Sequence, residues 1–291
     1  MIDGERYVLK QWSYEADWLS QALRDPHGAA CRAWSAGLVN RVPACIDHAT
    51  VAMAYDAGTT TALMHDVGAL LVPEGDAPIS AEQERRFFDH MAAGHAEFWG
   101  WTDDVGLIAL ADRYAVMSSS RIEIAGRASP EALVPPLILQ GWRELADLGP
   151  AMADALFALH ADPTPLVDAM GSTPSTFVHG DWKLGNLGSH PDGRTILVDW
   201  SIPGAAPACT DLAHYLALNC ARLAGTKESA AATYRGALES HGVATADWWD
   251  RQYPLSLLGI MCALGWEKAL GGDGAEFRWW EARVADAAAL L

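Results

Sequence analysis

The 291-residue chain, 51% hydrophobic and 20% charged, can bury the core of one large domain or two smaller ones, and no apolar run approaches the ~20 residues of a membrane helix. Its net charge of −17 argues against nucleic acid and acidic membranes as partners; that charge either serves solubility or draws in a cationic small molecule. Asp3 and Glu5 stand where a secretion signal needs positive charge, and Cys31, Cys45, Cys209, Cys220 and Cys262 are odd in number and contain no Cys-x-x-Cys, which predicts reduced thiols in a cytoplasm with neither a zinc site nor a disulfide framework.

From the N-terminus, Asp3-Gly4 is a turn signal and the run Arg6-Tyr7-Val8-Leu9-Lys10 reads as a strand, the tail of a hairpin. Helical patterns follow over 14–23 and 29–39. Strands are expected over 50–55 and 60–64, joined by the turn Asp56-Ala57-Gly58. Pro73, Gly75 and Pro78 make 71–79 a loop. Ser80-Ala81-Glu82-Gln83 is a capping box opening a helix to about residue 99, whose Phe87, Met91, His95 and Phe98 share one buried face. Helical patterns continue over 105–117 and, past the breakers Pro135-Pro136, over 137–159; Pro163 and Pro165 punctuate the approach to the next strand. From Cys209 the chain reads helical to its last residue, broken near Gly225, Gly242 and Gly271-Gly272.

The chemistry concentrates between these helical tracts. Thr176-Phe177-Val178 is an apolar run ending in His179-Gly180-Asp181, and Asn186 follows five residues after that aspartate. The turn Ser189-His190-Pro191-Asp192-Gly193 joins the arms of a hairpin, and Thr195-Ile196-Leu197-Val198 then ends in Asp199-Trp200. An aspartate, an asparagine in the same loop and a second aspartate after the next strand are the ordered parts of a phosphoryl-transfer site. A hydroxyl attacking a γ-phosphoryl group needs a carboxylate to orient it and take its proton, which singles out Asp181. Two hard oxygen ligands must hold Mg²⁺ against the phosphates, which singles out Asn186 and Asp199. Taken alone, each is also an ordinary turn, cap or strand-end residue.

With its Val-Asp-Trp and its later Thr210-Asp211-Leu212-Ala213, the stretch resembles the aminoglycoside phosphotransferase and choline kinase group, relatives of the protein kinases whose catalytic loop reads His-Gly-Asp-x4-Asn. The resemblance runs from about residue 7 to 223. It implies an α/β, two-lobed kinase-like fold: a partial N-terminal nucleotide-binding lobe at 1–67, a hinge at 68–79 and a catalytic and substrate lobe at 80–291. It implies ATP and Mg²⁺ as cofactors and a small-molecule hydroxyl, aminoglycoside-like or otherwise cationic, as acceptor. Lys10 matches the strand lysine that holds the α- and β-phosphates, although a plain strand-end lysine has the same look. Asp66 and Val67 fall where the family pairs backbone groups with adenine, or at a simple exit from a strand. Lys183 matches a lysine that protein kinases place near the γ-phosphate, and a solvated loop lysine is its other reading.

The sequence departs from the family before Lys10. The residues ahead of it are too few for the usual glycine-rich hairpin, so the true start lies upstream, or the lid is reduced, or catalysis is lost. No glutamate is singled out as the ion-pair partner of Lys10; of the acids Glu15, Asp17 and Asp25 in the helical stretch that follows, Glu15 is too close in sequence. His179 is expected to hold the loop by hydrogen bonds, and Asp211 to cap the following helix or brace the loop. Trp182 and Trp200 either pack or wall a cationic pocket. Two rival readings remain: a nucleotide-binding kinase-like protein with weak or no turnover, and a metal-dependent phosphohydrolase that transfers to water.

Overall fold

The structure, a computed structural model, describes residues 4–291. Asp3 of the expected Asp3-Gly4 turn lies outside them. The chain packs as two compact units: Met1–Trp12, Gly28–Leu107 and Ser175–Asp247 form the first, and Ser13–His27, Ile108–Pro174 and Trp248–Leu291 the second.

The first unit holds all the sheet structure. Strands β1 (Tyr7–Ser13), β3 (Thr50–Asp56) and β4 (Thr59–His65) form a three-stranded sheet in the order β1-β4-β3. β1 runs past Lys10, so the lysine lies within the strand and not at its end. The β3–β4 pair is antiparallel about the expected turn, with Asp56 opposite Thr59. A second sheet has the order β2-β7-β6, from β2 (Ile46–Asp47), β6 (Leu187–Ser189) and β7 (Thr195–Leu197); β6 and β7 are the expected hairpin, and β2 lies parallel to β7. A third pair, β5 (Ser175–Val178) with β8 (Gly204–Pro207), is antiparallel. Strand β8 has no signal of its own in the sequence. It is a short Gly-Ala-Ala-Pro run, and pairing with β5 makes it a strand.

Helix α2 (Ala29–Ser35) packs on β3 and helix α3 (Ala81–Glu97) on β5 and β7, with α10 (Lys227–Ser240) packed on α3 and on α9 (Cys209–Leu218). The periodic face of α3 is buried as expected: Phe87 and Met91 are fully enclosed, and His95 and Phe98 nearly so. Each large apolar side chain buried this way is worth about 1.5–3 kcal/mol, more than the ~1 kcal/mol of a helix cap. Ser80 Oγ accepts from Gln83 N at 3.1 Å. The Gln83 side chain donates to Ser189 Oγ of β6 at 3.0 Å, tying the helix start to the hairpin.

The second unit is helical: α1 (Trp18–Ala22), α4 (Leu110–Ala115), α5 (Ser119–Ala128), α6 (Val134–Leu148), α7 (Pro150–Ala161), α8 (Thr164–Gly171), α11 (Trp249–Leu270) and α12 (Ala275–Ala288). Three expectations are corrected here. The pattern over 105–117 yields only α4, because Asp103 accepts the amides of Val105, Gly106 and Leu107 and holds that stretch as a turn. Pro135 and Pro136 do not precede a helix but lie in the first turn of α6, where an amide has no intrahelical partner to lose. The run 137–159 is two helices, split at Gly149 with φ −140° and ψ 70°. Pro165 likewise sits in the first turn of α8, a helix the sequence reading passes over. Beyond Cys209 the helices α9 to α12 break where the glycines predict.

Candidate active site

β5 delivers the chain into His179-Gly180-Asp181. Gly180 has φ +84°, a left-handed turn that a side chain would oppose. Asp211 in the first turn of α9 makes this bend stable: its carboxylate accepts the amides of His179 at 2.9 Å and Gly180 at 2.8 Å. His95 Nε2 lies 3.2 Å from the same carboxylate, and its Nδ1 is 2.6 Å from Tyr234 Oη. Asp211 is completely buried. Burial works to raise its carboxyl, but the His95 contact and the Gly180 amide outweigh it and hold the group below the usual range. Of the two roles expected for Asp211, bracing the loop is the one these bonds describe.

His179 is locked in one tautomer by its neighbours. Asp181 N donates to Nδ1 at 3.2 Å, so the proton sits on Nε2, 3.1 Å from Val198 O. Burial keeps the imidazole neutral, lowering its pKa against the pull of Asp211, Asp181 and Asp199. The ring thereby joins the loop to the segment after β7 that carries Asp199.

The Asp181 carboxylate meets three donors. Lys183 Nζ is 2.7 Å and Asn186 Nδ2 2.8 Å from Oδ2, while His214 Nε2 is 3.1 Å from Oδ1. Burial pushes the carboxyl upward; the His214 hydrogen bond and charge and the Lys183 ammonium overcome this and hold it well below the usual carboxylate range. Asn186 Nδ2 also donates to Asp181 O at 2.9 Å. Its amide is therefore oriented by two bonds on nitrogen, with the oxygen turned the other way. Leu184 N, within the short turn Leu184–Asn186, donates to Asn219 Oδ1 at the end of α9.

The hairpin brings the second acid in. Val198 N donates to Asn186 O at 3.0 Å, one step beyond the Leu187–Leu197 pair, so Asp199 directly follows the residue that pairs with Asn186. Asp199 has φ +64°, a left-handed conformation uncommon for a residue with a Cβ. Its Oδ1 is 2.6 Å from Lys10 Nζ, with the two side chains 32% and 39% exposed. Lys10 also lies 5.1 Å from the centroid of the Trp12 ring.

These donors suit a hard cation. An amide oxygen and a carboxylate are ligands for Mg²⁺ shared with phosphate and water. Among the described residues no group of three His, Cys, Asp or Glu could hold a metal ion on protein ligands alone.

Asp66 and Val67 follow β4 and lead into the short turn Gly68–Leu70. Asp66 N donates to Arg6 O at 3.0 Å, and its carboxylate pairs with Arg6 at 2.9 Å. The segment is then fastened to the hairpin: Val72 N donates to Leu187 O, and Leu71 bridges to Gly188. A Cβ on Gly188 would stand 2.6 Å from Leu70 O, so this close crossing requires glycine. Trp182 and Trp200 are both buried and pack, Trp200 stacking on Phe177 at 5.9 Å and meeting His179 edge-on at 4.7 Å. Both line a cavity shared with Met91, Phe98, Phe177 and His179.

Residues 2–248 match APH, the phosphotransferase enzyme family. The chain belongs to that family. It is a phosphotransferase by family, with a kinase-like fold. No curated protein matches the sequence. Among solved structures, the choline kinase LicA from Streptococcus pneumoniae is 13% identical with a TM-score of 0.55, covering 100% of this chain and 88% of that one. Aminoglycoside phosphotransferase APH(3'')-Id from Streptomyces rimosus, in complex with ADP and streptomycin, is 17% identical with a TM-score of 0.51, covering 89% and 88%. A microcompartment-associated aminopropanol kinase is 12% identical with a TM-score of 0.52, covering 99% and 85%. At such identities the likeness is one of fold.

The sequence reading of this phosphotransferase missed His214 and Asn219 as groups that touch the loop, and Asp199 as the partner of Lys10. His214 carried a faint signal, lying three residues after Asp211 and so on the same helix face. The Lys10–Asp199 pair carried none, since the two are 189 residues apart.

Proposed function

We propose that this phosphotransferase moves the γ-phosphoryl group of ATP, with Mg²⁺, onto a hydroxyl of a small cationic molecule. One observation carries the reading: Asp181, Asn186, Asp199 and Lys10 converge through the loop, the hairpin and β1 of a single compact unit. Asp181 is the residue for the acceptor hydroxyl. A carboxylate held so firmly in its charged form is a strong acceptor of a hydrogen bond and a weak base at the outset. It orients the hydroxyl, and takes the proton as the attacking oxygen gains its bond to phosphorus and becomes acidic. In the same event the bond from the γ-phosphorus to the β,γ-bridging oxygen breaks, and its electron pair leaves with ADP.

Asn186, through the amide oxygen left by its two nitrogen bonds, and the Asp199 carboxylate are the residues to hold Mg²⁺. When bound, the ion draws off negative charge from the phosphate oxygens. Lys10 and Lys183, now satisfied by Asp199 and Asp181, are the cations for the phosphates. The Asp66 amide is committed to Arg6, so pairing with adenine falls to the Asp66 carbonyl and the Val67 amide. The cationic acceptor rests on the charge of −17 and on choline, aminopropanol and streptomycin in the names of the solved structures of like fold. The five free cysteines and the absence, among described residues, of any helix long and apolar enough to cross a membrane support a cytoplasmic setting.

The test is incubation with γ-labelled Mg·ATP and, separately, choline, 1-amino-2-propanol and streptomycin. The expected result is label on an acceptor, lost in Asp181→Asn. Label released only as inorganic phosphate, whatever acceptor is present, would instead make the chain a phosphohydrolase.

A further inference from the structure

Helix α9 presents two polar side chains to the loop, Asp211 and His214. Asp211 fixes backbone, taking the amides of His179 and Gly180. His214 fixes the side chain of the next residue, with Nε2 3.1 Å from Asp181 Oδ1. One face of one helix thus holds all three residues of His-Gly-Asp. The donors divide the Asp181 carboxylate unevenly. Lys183 and Asn186 share Oδ2, and His214 stands at Oδ1. Lys183 is a long, flexible side chain, 36% exposed, which can leave Oδ2 for a phosphate; the His214 side chain is shorter, stiffer and only 14% exposed.

We propose that His214 is a positioning residue for phosphoryl transfer, holding Oδ1 of Asp181 so that the carboxylate keeps its plane while Lys183 changes partner. The proposal rests on the phosphotransferase reading above. The loop and hairpin motifs that define the site do not contain this histidine; it enters from a helix that begins 28 residues after Asp181. A base that swings by an ångström loses its line to the attacking oxygen, and misplacement on that scale costs about 100-fold in rate. His214 touches Asp181, so its effect passes through the orientation of that carboxylate.

Two variants test this. His214→Leu removes the donor and keeps bulk; His214→Gln restores an N–H near the position of Nε2. The first readout needs no acceptor: ¹³C NMR of the Asp181 carboxyl, assigned by its loss in Asp181→Asn. In His214→Leu the carboxyl resonance at neutral pH should move from its position in the parent, because the donor 3.1 Å from Oδ1 is gone; in His214→Gln it should lie nearer the parent. The second readout is transfer from Mg·ATP to water. There the water oxygen bonds to the γ-phosphorus, the bridging bond breaks with its electron pair on ADP, and a water proton passes to Asp181. His214→Leu should lower kcat by about 10- to 100-fold and leave KM for ATP within about twofold, with most of the loss restored in His214→Gln. An unshifted carboxyl in His214→Leu overturns the proposal. So does an unchanged kcat, and so does a loss that glutamine fails to restore and that raises KM as well, since that marks general loosening. A carboxyl shifted in His214→Leu, with a parent protein that transfers nothing from Mg·ATP, upholds the grip on Asp181 and overturns the phosphotransferase reading beneath it.

Discussion

The catalytic loop and the three-stranded sheet supply charged residues to the same site, and they hold them in opposite ways. The loop is over-determined. Asp211, fully buried, satisfies two backbone amides; His179 spans to Val198; and Asp181 has three donors. The sheet is thin and open. Val8 and Leu9 of β1 are exposed, and Lys10 pairs with the Asp199 carboxylate through side chains 39% and 32% exposed. The difference separates two kinds of work. A group that must meet the reacting atom within a fraction of an ångström is built into a buried network. One that neutralises phosphate charge, the role proposed for Lys10, needs only reach, and an exposed lysine on a strand provides that.

Breaking the loop should have the largest effect. Asp211→Ala leaves the amides of His179 and Gly180 and the His95 imidazole without their shared acceptor in a dry interior. The expected loss is about 3–5 kcal/mol of stability, seen as a lower denaturation midpoint, together with loss of turnover. The sign with pH follows. A carboxyl whose pKa is lower in the folded than in the unfolded chain contributes stability that is full above its ordinary value of about 3.9 and is lost as pH falls through its depressed folded value. The gap between parent and Asp211→Ala should therefore be wide at neutral pH and close only in strong acid.

Asp181→Asn should be cleaner. The shape is kept and the proton acceptor is lost, so transfer should fall about 10²- to 10⁴-fold while calorimetry shows nearly unchanged Mg·ATP binding. Unchanged turnover removes Asp181 from the chemistry.

Asp199→Ala touches both regions, deleting the charged oxygen proposed for the cation and the partner of Lys10. Mg·ATP affinity should fall, and raising Mg²⁺ should recover part of it; equal affinity in variant and parent counts against metal ligation. Lys10→Ala sharpens the comparison at its small end. Its ion pair is exposed and screened, so the denaturation midpoint should move by less than the equivalent of about 1 kcal/mol. ATP affinity should still drop. A large loss of stability would mean that the sheet is built like the loop after all.

How much of this was legible in advance follows from distance along the chain. Asp181 and Asn186 lie in one loop and Asp199 follows the next strand but one, so spacing and turn chemistry brought these three together on paper, and the family resemblance added Lys183. The buried face of α3 was readable because Phe87, Met91, His95 and Phe98 repeat with the helix period. β8 was not, because its Gly-Ala-Ala-Pro has no strand preference and exists as a strand through pairing with β5. Pro135-Pro136 misled because proline is read as a breaker unless the first turn of the helix is already located. His214 and the partner of Lys10 needed the tertiary structure itself: a helix face says which residues share a direction, and not what lies across from them.

The Lys10–Asp199 pair has a consequence for how the protein is made. Its partners are separated by 189 residues, and at ribosomal speeds of about 5–20 residues per second Lys10 is synthesised some 10–40 s before Asp199 exists. Through that interval the nascent strand β1 presents its exposed Val8 and Leu9 without the hairpin that later meets it. The brace of the catalytic loop comes later still, since Asp211 and His214 are translated after every motif residue they hold. The nascent chain thus carries a complete set of motif residues before it has the helix whose side chains hold them.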